Sequence, residues 1–235
     1  MNPTASIYRH AYLFFALIPI FAIWGFWQSY FIGSTRPVTT LDHAHGISMF
    51  LWCFMLVLQA FLIRRGERRV HRLVGKASYV VVAAITVSSL ALANQQLNLR
   101  GVTGPGKYIL MLQVLILAQF LVFYALAIWN RKRSDKHARY MICTALPLID
   151  PIFARILMAY ILTPDGFWMI QYLTFGLTNL ILLALVAWDW HASRRTDVFL
   201  PMLAVIVVLQ IPVLLMTDLP AWHAFSSWFI ALPIS

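Results

Sequence analysis

Charge is scarce in this chain, acid scarcer, and cysteine nearly absent. Only 11% of its 235 residues are Asp, Glu, Lys or Arg, 61% are hydrophobic and the mean hydropathy is +0.77. A soluble domain carries about twice that share of charge, so the composition excludes one and identifies a polytopic membrane protein. Acidic residues number 8 against 18 Lys and Arg, giving a net charge of +10 and a pI near 10.1. Nucleic-acid binding does not follow, because eleven of the eighteen cations lie in two short blocks, at 64–72 and 131–139, or at Lys76 beside the first. Charge confined to connections between apolar runs sets topology.

The two cysteines, Cys53 and Cys143, sit in separate apolar segments. With no CxxC they offer neither a disulfide framework nor a redox motif and are expected to be buried and inert. P-loop, GxGxxG, HExxH and GxSxG patterns are also missing, leaving nucleotide chemistry, zinc peptidase chemistry and serine hydrolysis without a motif. No A-x-A cleavage pattern accompanies the apolar run after Arg9, which is therefore read as a retained helix.

What the sequence does contain is seven apolar stretches of the length a bilayer requires, about 20 residues each. They cover residues 11–32, 46–63, 75–94, 108–129, 140–162, 168–188 and 198–216. The fold class is all-α: a single seven-helix membrane bundle, residues 1–235, followed by a short interfacial helix starting near Asp218. The even-numbered connections, RRGERRVHR, RKRSDKHAR and HASRRTD, are the basic ones. The positive-inside rule then predicts a bacterial cytoplasmic (inner) membrane location with a cytoplasmic N-terminus and a periplasmic C-terminus. Trp27, Trp129, Trp168, Trp188 and Trp190 fall at predicted span ends, where an amphipathic ring favours the interface.

Histidines are the first candidates for chemistry. His45, Trp52 and Gln59 are spaced by seven residues, which puts them on one face of the second span, aimed into the bundle. Gly46 beside His45 permits close approach of a helix or cofactor. His43, two residues earlier, points elsewhere. His71 and His137 open the third and fifth spans and are predicted at the same, basic edge. Two imidazoles from different helices at one depth suit six-coordinate haem b, provided an acceptor orients each ring. Against this stands a plain reading in which both belong to cationic loops touching anionic lipid.

In the fifth span, L-P-L-I-D-P-I-F-A-R places Asp150 and Arg155 at depth, where ionisable groups face a partner or a cavity. Pro147 and Pro151 predict a break in that helix. Five residues separate Asp150 from Arg155, about 140° on an ideal helix, so a buried charge pair needs that distortion. Gln59, Asn94, Gln113, Gln119, Gln171, Asn179 and Gln210 are expected mostly as interhelical hydrogen bonds.

H-x-H-G, W, Q-x-x-L-I-R, H-R-L-V-G-K-x-S-Y, D-K-H-A-R-Y-M and D-P-x-x-A-R, across roughly residues 41–156, resemble a bacterial group of multi-pass membrane proteins of unknown function. That resemblance singles out His45, Gln59, His71, Arg72, Gly75, His137, Arg139, Met141 and Arg155. A looser similarity links the histidines to b-type membrane cytochromes, whose two-His-per-helix spacing this chain lacks. The sequence thus points to a redox-type membrane protein binding haem b or a transition metal, with His71 and His137 as ligands at the cytoplasmic side, His45 as a further candidate ligand near the opposite edge, and Gln59 and Arg72 as supporting groups or partners for haem propionates. Its partners would be the lipid bilayer, a membrane redox partner or a second copy of the chain. Two other readings stay open: a transporter or proton-coupled permease using Asp150 and Arg155, and a non-catalytic membrane subunit.

Overall fold

Local chemistry sets the helix ends. Thr39 caps the second helix: its hydroxyl accepts from the Asp42 amide at 3.3 Å, and the Asp42 carboxylate accepts from the Thr39 amide at 2.8 Å. This reciprocal box starts the helix at Thr40, six residues before the predicted span, so both His43 and His45 lie on its first turns. At its other end Gly66 takes a φ of +78°, a conformation that favours glycine, and turns the chain back within three residues.

The computed structural model describes residues 3–33, 37–161 and 166–234, with side chains from Ala11 onward. Nine α-helices occur among them: α1 (Pro3–Phe26), α2 (Thr40–Arg64), α3 (Arg68–Arg100), α4 (Pro105–Trp129), α5 (Ser134–Cys143), α6 (Ile149–Tyr160), α7 (Phe167–Ser193), α8 (Phe199–Leu215) and α9 (Pro220–Ile230). A π-helical turn, Trp27–Phe31, extends α1, and a 3₁₀ turn, Leu146–Leu148, joins α5 to α6. The described residues contain no strand. Six spans are long and apolar enough to cross a membrane, with α5 and α6 together forming one of them. The pair α8–α9, bent by 89°, makes a seventh if counted as one span.

This is the predicted helical membrane bundle, and three of its details bear on the expectations. First, α3 has 33 residues rather than the 20 of its apolar stretch, about 50 Å of helix, because its cationic and amide ends remain helical. Second, the fifth span is broken where prolines were expected to break it: Pro147 lies in the 3₁₀ turn and Pro151 in the first turn of α6. Third, α7 continues past Trp188 to Ser193, carrying Asp189 into the helix.

Around the bundle the order of contacting helices is α1, α2, α3, α4, α8, α7, α6 and back to α1, with α5 against α4. The largest core cluster includes Trp52, Leu56, Ile85, Phe120, Leu148 and Ile152. The ends of α2, α4 and α7 and the starts of α3, α5 and α8 share one side, here the basic face. On the opposite face α9 lies across the end of α3 and the start of α4. The Asn94 amide donates to the Phe229 carbonyl at 2.6 Å, Trp222 donates to the Lys107 carbonyl at 2.9 Å, and Lys107 pairs with Asp218. The interfacial helix expected after Asp218 is therefore docked onto the protein. Cys53 and Cys143 are buried and unpaired, as expected.

Candidate functional site

Three polar clusters interrupt the apolar interior. The first, at the basic face, joins the two histidines singled out from sequence. His71 is on the first turn of α3 and His137 on the first turn of α5, and their ring centroids are 6.3 Å apart with planes at 88°. The His137 ring donates from Nδ1 to the Ala127 carbonyl at 2.8 Å, an assignment that leaves Nε2 with a lone pair. The buried Nδ1 of the His71 ring has no hydrogen-bond partner, and the Gln59 backbone lies within electrostatic reach of that ring. The His137 imidazole is thus oriented by a backbone carbonyl with one ring nitrogen left over, as a histidine ligand requires, and His71 also keeps a ring nitrogen without a partner. Gln59 packs against Gly75 through its amide nitrogen, and its Oε1 is buried without a partner. Arg72 is exposed beside His71.

His45 does not join this pair. It lies fourteen residues before Gln59 on α2, about 21 Å along the helix axis, and so stands toward the opposite edge, apart from the pair. The helix face of His45, Trp52 and Gln59 is nonetheless real and runs along α3 and α4. The His45 Nδ1 meets Ser88 at 3.3 Å and Trp52 packs edge-on against Phe120 and Tyr124. His43 points away, exposed, with the Tyr30 hydroxyl 2.6 Å from its Nδ1. Among the described residues no three His, Cys, Asp or Glu side chains converge as a metal site.

The second cluster surrounds Asp150, 4% exposed at the start of α6. Gln171 donates to its Oδ1 at 2.8 Å and the Thr174 hydroxyl donates to the same oxygen. The expected direct Asp150–Arg155 ion pair is not formed among the described residues. Arg155 instead donates to the Pro151 carbonyl at 3.3 Å and lies 4.2 Å from the Phe26 ring centre, because helical geometry turns it away from Asp150. It remains within electrostatic reach of both Asp150 and His45.

The third cluster joins Arg139, which the resemblance singled out, to Asp189, which the sequence reading missed. Arg139 on α5 and Asp189 on α7, 2% and 1% exposed, form a two-pronged ion pair with Nε–Oδ2 of 2.8 Å and Nη2–Oδ1 of 2.5 Å. Arg139 also donates to the Asp135 carbonyl at 3.0 Å, and Ser193 donates to Asp189 at 2.8 Å. Outside this pair, Arg195 bridges Asp135 and Asp197, and Lys136 meets Asp197 at 2.8 Å. Hydrogen bonds from Arg195, and then Lys136, hold the Asp197 carboxyl well below the usual carboxylate range. Asp189 sits in W-D-W before a basic connection, and its signal was that of an acidic residue on an otherwise cationic face. No protein family, curated protein or solved structure matches the chain.

Proposed function

We propose that this chain is a redox protein of a bacterial cytoplasmic membrane that holds a transition-metal ion, in haem b or alone, between His71 and His137 near the cytoplasmic surface. The observation carrying this reading is the separation of the two rings. Two imidazoles on opposite sides of one ion, each bonded at about 2 Å, have ring centres roughly 6 Å apart, close to the 6.3 Å found here. The Ala127 carbonyl supports it by fixing which nitrogen of His137 is left over, and the His71 Nδ1 has no partner. A haem iron held by two histidines would need one ring nitrogen from each, and a pair is what the described residues offer. Arg72, exposed on the same turn as His71, is placed for an anionic substituent such as a propionate. A bound metal of this kind supplies one-electron transfer.

The test is an absorption spectrum with elemental analysis of the purified wild-type protein. A Soret band, or a bound redox metal without one, is expected. His71→Ala and His137→Ala should each abolish it, while His43→Ala, altered on the opposite face, should leave it intact. A folded wild type that is colourless and metal-free would sink the proposal and leave the pair to packing and lipid contact.

A further inference from the structure

The Asp150 site carries an inference of its own, independent of the histidine pair. Both donors to this carboxyl, Gln171 and Thr174, converge on Oδ1. Among the described residues none donates to Oδ2, and no cation lies within 4.0 Å. An ionised carboxylate at this depth is stabilised by donors on both oxygens or by a bonded cation. The donors found fit a carboxylic acid, whose carbonyl oxygen accepts both of them while its other oxygen carries the proton.

A path to water lies nearby. On the opposite face a cavity of about 290 Å³ is lined by Lys107, Tyr108, Phe167, Trp168, Thr217 and Asp218. Tyr108 is 4% exposed, and its buried hydroxyl has no hydrogen-bond partner. That hydroxyl is within electrostatic reach of Asp150. The Tyr108 ring thus lines the cavity while its hydroxyl faces inward, and a hydroxyl can receive and give a proton at once. Among the described residues the charged group near Asp150 is Arg155, on its own helix.

We propose that Asp150 is a proton-binding site within the membrane, carrying its proton on Oδ2 and exchanging it with the opposite face through the Tyr108 hydroxyl and the cavity beyond. Arg155, which donates to the Pro151 carbonyl and lies over the Phe26 ring, is a positive charge within electrostatic reach of the acid. Asp150 gives the chain a chargeable group at depth, which membrane proteins that move protons or cations require.

Infrared spectroscopy of the full-length protein in detergent at neutral pH reads this directly through the carbonyl band of a protonated carboxyl. The band should be present in the wild type, lost in Asp150→Asn, and shifted but retained in Thr174→Val, which removes one Oδ1 donor. Should Asp150→Asn fail to fold, the Thr174→Val shift alone assigns the band. On transfer to D₂O the wild-type band should move to its deuterated position, and Tyr108→Phe should slow that movement. Absence of the band in folded wild type would mean an ionised Asp150 and overturn the site. Equal exchange rates in wild type and Tyr108→Phe would overturn the route.

Discussion

Arg139 shows what a single residue contributes to such a bundle. Its guanidinium lies where hydration is absent, so its charge is tolerable only because Asp189 supplies two parallel hydrogen bonds and Asp135 a carbonyl. Breaking a buried pair strands the remaining charge, with losses of about 3–5 kcal/mol, whereas replacing both partners with apolar residues is often neutral. Arg139→Gln should therefore lower the melting temperature in detergent sharply, and the double variant Arg139→Met, Asp189→Leu should recover much of the loss. A double variant as unstable as the sum of the singles would show that the two residues act separately. The neighbouring clasp predicts a pH dependence. Arg195 and Lys136 depress the Asp197 pKa below its unfolded value, so its contribution is present above the ordinary carboxylate range and is lost as pH falls through the depressed folded value. Acidification below about pH 4 should loosen the α7–α8 connection, read as faster proteolysis there. Asp197→Asn should remove that pH dependence.

At the level of whole helices, the closest approach is the crossing of α1 and α6 at Gly25. A methyl group on Gly25 would sit 2.7 Å from the Ile152 carbonyl oxygen, a backbone atom that cannot rotate away. Gly25→Ala should thus push α6 outward and destabilise by about 1–3 kcal/mol, the usual range for overpacking. Gly176 in α7 has nothing within 4 Å of the same position, and Gly176→Ala should stabilise by roughly 0.5–1 kcal/mol through helix propensity. Equal effects of the two substitutions on melting temperature would refute the close crossing. Elements of this kind were unequally legible in the sequence. Pro147 and Pro151 announced the broken fifth span, and the seven-residue spacing of His45, Trp52 and Gln59 announced an inward face, since both are local properties of one segment. The ends of α3 were hidden because apolarity stops at Gly75 and Asn94, while helical hydrogen bonding continues through Arg68 and Arg100. Partners across the bundle were hidden for a different reason. Asp150 was paired with Arg155 by proximity in sequence, but its donors come from α7, twenty-one and twenty-four residues away, and no periodicity in one segment encodes which helix lies beside it.

For the molecule as a whole, the distribution of charge decides orientation. Arg64, Arg65, Arg68, Arg69, Arg72 and Lys76 meet Arg131, Lys132, Arg133, Lys136, Arg139, Arg194 and Arg195 on one face, whereas the described residues of the connections on the other contain Arg100 and Lys107. Short loops with such a bias remain cytoplasmic, so the basic face should lie inside and α9 outside. The position of α9 rests on α8, whose 17 residues span about 26 Å, close to the roughly 30 Å of a hydrocarbon core. Exposed Trp129, 88% accessible, marks the interface at the basic face. Single cysteines can test both points in the native background, because Cys53 and Cys143 are buried and should stay silent to an impermeant thiol reagent. Glu67→Cys and Ser134→Cys should resist the reagent in intact cells and react after lysis, while Thr103→Cys should react in both. Ala221→Cys, on the exposed side of α9, should behave like Thr103→Cys if α8 crosses. Protection of Ala221→Cys alone would place α8 and α9 on the inside and reduce the spans to six. Labelling of Glu67→Cys and Ser134→Cys with Thr103→Cys protected would invert the protein, moving the His71–His137 pair to the outer surface and the Asp150 proton route to the inner one.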